Sequence, residues 1–93
     1  MKPSRSKEDR QFDQIQRGLA ARRLIEDDVV LAWFEAEHSR HVETMISAAI
    51  DDDTGRRAAA LQLQSLAALK RHLITEAALG RKQQEKANAN DKA

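Results

Sequence analysis

The stretch Thr54–Leu79, TGRRAAALQLQSLAALKRHLITEAAL, decides the fold of this chain. At about 100° per residue, Ala59, Leu63, Leu66, Leu69, Leu73, Ile74 and Ala77 share one broad face. Leu66, Leu69 and Leu73 form its centre line, spaced three then four apart, as an amphipathic helix requires. Ala, Leu, Gln, Lys and Arg dominate, and all are strong helix formers. Asp53 or Thr54 is placed to cap the first turn, and Gly80 sits where a left-handed stop is common. The spacing therefore predicts one helix over residues 54–79.

That helix is apolar on two sides. Leu61, Ala68, His72 and Leu79 form a second, narrower stripe on roughly the opposite side from the first. Either another helix of the same chain covers this stripe, or a subunit or partner does. The interface reading assigns Leu61, Ala68, His72 and Leu79 to protein contact, joined by Trp33.

Working outward toward the N-terminus, Asp51, Asp52, Asp53, Thr54 and Gly55 read as a tight acidic turn. So short a connection makes the flanking helices antiparallel neighbours, a helical hairpin. The preceding helix is predicted over about 28–50, capped by Asp27, with acidic side chains favourable at its start. Its inner face holds Val30, Leu31, Phe34, Val42, Met45 and Ala49, with His38 and His41 in the same face. Trp33, Val29 and Ala36 lie beyond that stripe. Trp33 either packs on the first helix or serves as an exposed binding anchor.

The first helix is predicted over about 7–24. Ser6 and Asp9 form a variant capping box, and Phe12, Ile15 and Leu19 form the apolar stripe. Gly18 costs this helix about 1 kcal/mol relative to Ala; it marks close helix packing or a hinge. Whether the first two helices are separate or one bent rod stays open. Residues 1–6 read as a loose arm, and 81–93 as a polar, fraying or disordered tail. The expected fold is all-α: three helices in one domain over 7–80, dominated by an antiparallel helical hairpin, with flexible termini.

Composition supports this and narrows the function. Aromatics make up 3% and charged residues 33%, with no period-two run of β-branched residues, so strands are not expected. Cysteine is absent, so no disulfide framework or thiolate metal site is available. No segment has the ~18 consecutive apolar residues of a membrane span, and no signal-peptide pattern opens the chain. The lack of cysteine fits a reducing cytoplasm, and no membrane partner is expected. The net charge of +1 hides segregation: residues 1–23 sum to +4, 24–53 to −8 and 54–93 to +5. Such asymmetry sets acidic segments against basic neighbours.

Chemical motifs are weak. Glu35 and His38 have the Glu-x-x-His spacing of di-metal bundles, but the second copy is missing, since Leu69 stands where its Glu would be. His38 and His41 lack a third ligand, and Asp51–Asp53 lack the spacing of a calcium loop. No metal or cofactor is expected, and no enzyme activity. Nucleic acid is the alternative partner. Lys2, Arg5, Lys7, Arg10, Arg17, Arg22 and Arg23 toward one end, and Arg81, Lys82, Lys86 and Lys92 toward the other, could contact phosphates without sequence preference.

The run RGLAARRLIEDD, then LAWFEAEHSR, then DDDTGRR and a leucine-rich helix closing in HLITEAALGRK, together resemble a phage protein class. They are similar to the small helical proteins of the packaging and head-assembly gene region of tailed bacteriophages, including the oligomerising hairpin of small terminase subunits. The usual DNA-binding helix-turn-helix of those subunits has no counterpart here. The resemblance implies a non-enzymatic assembly or DNA-packaging factor, oligomeric or bound to other phage assembly proteins. It carries over no functional residue.

Overall fold

The computed structural model describes residues 6–91. Three helices account for nearly all of them: α1 (Lys7–Glu26), α2 (Asp28–Ser47) and α3 (Asp53–Asp91). There is no strand among the described residues, and the fold is all-α as expected. The expected arm, apart from Ser6, lies outside the described residues, as do Lys92 and Ala93 at the end of the expected tail.

Local chemistry sets most of the helix ends. Ser6 Oγ accepts from the Asp9 N–H at 3.1 Å and starts α1. The open question about the first two helices is answered by Asp27, which stands between them in extended backbone. Its carboxylate accepts from the N–H groups of Val29 at 2.8 Å and Val30 at 3.1 Å. Asp27→Ala is expected to cost about 1 kcal/mol, read as a shift of the urea midpoint at constant slope.

Two helix ends differ from expectation. α2 stops at Ser47 and not near Ile50. Thr44 and Ser47 turn their hydroxyls back onto the carbonyls of Arg40 and Glu43, a habit that weakens a helix end. Arg56 then draws the loop away by donating to the carbonyls of Ala49 at 2.7 Å and Ile50 at 2.6 Å. At the start of α3 the cap is Asp52, not Asp53 or Thr54, and it accepts from the Gly55 N–H at 2.8 Å. The Asp52 carboxylate lies close over the bare Cα of Gly55, and an added Cβ would make that carboxylate shift.

The largest difference is at Gly80. Helix α3 runs through it to Asp91, over most of the expected tail. The residues that follow, Arg81, Lys82, Gln83, Gln84, Glu85 and Lys86, are themselves good helix formers. Gly80 is buried, so it serves packing and not termination.

The chain divides into two compact units, Met1–Ile25 with His72–Ala93, and Glu26–Arg71. The second is the expected hairpin of α2 and the first half of α3. Phe34 and Ala59 are its buried apolar residues, and Val30, His41, Val42, Met45, Leu63 and Leu66 are half-buried. Trp33 meets Phe34 edge-on, ring centres 5.3 Å apart. Leu69, expected on the inner face of α3, stays exposed, because one neighbouring helix covers a narrower arc than the broad apolar face spans.

The first unit is built differently. Here α1 runs antiparallel to the second half of α3, and the two backbones nearly touch. A Cβ added to Gly18 would lie 2.6 Å from Gly80 Cα and 2.9 Å from the Glu76 carbonyl oxygen. Ala21 is buried beside this crossing. Polar groups hold the rest. Gln11 Nε2 donates to Gln83 Oε1 at 3.2 Å, and Gln14 Nε2 to Glu76 Oε2 at 2.9 Å. Of the two meanings offered for Gly18, close packing is the one observed.

Candidate interaction surface

Little of the apolar surface is hidden. Among the described apolar residues only Ala21, Phe34 and Ala59 are buried. Phe12, Leu24, Val29, Ile46, Ile50, Ile74 and others stand exposed, Ile50 at 95%. Isolated exposed leucines are ordinary on a monomer; contiguous stripes and grooves mark contact surfaces.

In the hairpin unit, two of the residues assigned to protein contact lie on α3, Leu61 at 56% exposure and Ala68, also exposed. Trp33 is 49% exposed on α2. It is the residue type most enriched among interface anchors, with one edge already fixed against Phe34. The other two, His72 and Leu79, belong to the first unit, and both are exposed.

The hairpin unit also carries an open groove of about 670 Å³ between α2 and α3. Leu31, Phe34, Leu63 and Leu66 are among its apolar lining, and Glu35, His38 and Lys70 supply charge and polarity. Sequence periodicity identified the lining residues but not the groove, which exists because α3 covers only part of the inner face of α2. Elsewhere on α2, Arg40 Nη2 donates to Glu37 Oε2 at 2.6 Å, and Nε2 of the half-buried His41 ring lies 3.4 Å from the same oxygen. The Arg40 hydrogen bond is the main reason the Glu37 carboxyl is held below its ordinary value. The charges of Arg40 and His41 add to it against a smaller desolvation cost.

The residues considered for phosphate contact gather in the first unit. Lys7 and Arg10 are exposed on the opening turns of α1, and Arg81 and Lys82 are exposed on α3. Arg17 is engaged, donating to Gln14 Oε1 at 3.0 Å with its Nε 3.8 Å from Glu76. Arg5 lies outside the described residues. Among the described residues no three His, Cys, Asp or Glu side chains form a group that could hold a metal ion. Nor is any described helix long and apolar enough to cross a membrane.

Fold and surface thus define an all-α chain built of antiparallel helix pairs with exposed apolar faces. No protein-family model, curated protein or solved structure matches it.

Proposed function

We propose that this chain is a non-enzymatic assembly factor of the phage packaging or head-assembly type, working as an oligomer through helix-face contacts. The observation that supports this reading is the scarcity of buried apolar side chains, set against exposed apolar residues on all three helices. Burying apolar surface is the main favourable term in folding and association, so a chain with so small a core gains stability from a partner. Leu61, Ala68, His72 and Leu79, with Trp33, supply contact surface in this proposal. Light scattering or sedimentation of the purified protein should report a dimer or larger species that Leu61→Glu and Leu79→Glu shift toward monomer. A strict monomer at high concentration that also ignores packaging and head proteins would sink the reading.

A second reading has its own support. By sequence, residues 1–25 and 72–93 together carry eleven basic and six acidic groups, a charge balance suited to phosphate. Non-specific DNA binding would then fall steeply with salt and would be lost on reversing Arg10, Arg81 and Lys82 to Glu. Substitution is the better tool here than truncation, because removing residues 81–93 would also remove Gln83, a hydrogen-bond partner of α1. Affinity unchanged by the reversals would dismiss this role.

A further inference from the structure

The two units carry opposite charge. Residues 1–25 and 72–93 sum to +5, while residues 26–71, with five basic and nine acidic groups, sum to −4. The negative unit holds the open apolar groove. The positive unit holds α1, whose Phe12 is 61% exposed, with Ile15 and Leu19 on the same side of the helix and Leu19 also exposed. The two features agree in length. Leu31 to Ser39 along the groove wall spans about 12 Å, and Phe12 to Leu19 spans about 10 Å, at the helical rise of ~1.5 Å per residue.

We propose that the groove of the negative unit receives α1 of a second copy of this chain. Phe12 and Leu19 lie against Leu31, Phe34, Leu63 and Leu66, and Arg23, beside the α1 stripe, faces the acidic side chains of α2. This is helix-in-groove recognition, in which apolar anchors at i, i+3 and i+7 supply affinity. The opposite unit charges speed encounter and set orientation. The proposal rests on the self-association reading above and names the surfaces that carry it.

The test uses full-length chains with one exposed residue changed on each side. Phe12→Glu spoils the inserted helix. Ala67→Lys, at an exposed position lining the groove, spoils the receiving surface. Each variant alone is expected to dissociate at least ~30-fold more readily than wild type in sedimentation, the size of a hot-spot loss. An equimolar mixture should recover a dimer, because each chain keeps the surface the other lacks. Raising salt from about 0.05 to about 0.5 M should weaken the wild-type dimer several-fold. The chain has no cysteine, so Gln16→Cys chains, changed at an exposed position one turn from Phe12, can also be mixed with Ala67→Cys chains and oxidised, a readout that keeps the Phe12 anchor. The mixed disulfide should then outnumber both symmetric ones. Wild-type protein that stays monomeric overturns this proposal and the self-association reading together. An oligomer that survives both substitutions, a mixture that recovers no dimer, or a statistical spread of disulfides overturns the groove assignment alone.

Discussion

A leucine in place of Gly80 should release α1 from α3 and remove about a quarter of the helical signal, the share held by the 20 residues of α1 beside 20 in α2 and 39 in α3. Intrinsic propensity points the other way. Leucine is better than glycine inside a helix by roughly 1 kcal/mol, so an α3 without neighbours would gain from the change. The crossing decides the sign. A Cβ at position 80 already falls 2.6 Å from Gly18 Cα and 3.1 Å from the Gln14 carbonyl oxygen. These are backbone atoms of a helix and cannot swing aside like the end of a side chain, so the helices must part. Once parted, the Gln11–Gln83 and Gln14–Glu76 hydrogen bonds go too, and a 20-residue helix without tertiary contacts is marginal in water. Circular dichroism at fixed protein concentration reads the result. Gly18→Ala is the milder version, an overpacking cost of about 1–3 kcal/mol set against about 1 kcal/mol of gained propensity. Helicity that rises in Gly80→Leu, together with a higher melting temperature, would show that the two backbones do not meet at these glycines.

Phe34→Ala should come close to unfolding the hairpin. Phe34 is the one large apolar side chain among those buried in the described residues, at 9% exposure. Deleting a buried phenylalanine costs about 3–5 kcal/mol, against a total stability of about 5–14 kcal/mol for a domain of this length. Trp33, the single tryptophan, sits edge-on to Phe34, so its fluorescence follows this unit directly. The expected result is a urea midpoint lower by about 2 M, or no cooperative transition, given slopes of about 1–3 kcal/mol per molar. Because association shifts apparent stability, wild type and variant are compared at one concentration. A midpoint that barely moves would mean that the core lies elsewhere.

The neighbourhood of Phe34 shows what could be read in advance. Of the inner face assigned to α2 from spacing alone, Val30, Phe34, His41, Val42 and Met45 are buried or half-buried, whereas Leu31, His38 and Ala49 are exposed. Asp27 was legible as a cap because its bonds to Val29 and Val30 are local. Asp52 was not, because three adjacent aspartates offer the same local capping chemistry, and the bond to the Gly55 N–H singles one out only in the folded turn. Gly80 was misread for a related reason. A glycine near the end of an apolar pattern looks like a stop, and only its partner Gly18, 62 positions away, shows that it is a contact. Leu61 and Leu79 are exposed, and nothing in a single chain covers them; the groove along Leu31, Phe34, Leu63 and Leu66 needed two helices in place to exist.

By itself, then, the order of residues determined the three helices and the caps at Ser6 and Asp27, since each depends on hydrogen bonds and side-chain spacing within about one turn. Tertiary structure alone decided where backbones approach, which apolar faces find cover, and that α3 continues to Asp91. Those outcomes compare alternative neighbours for the same face, and the chain's local chemistry is nearly the same in all of them.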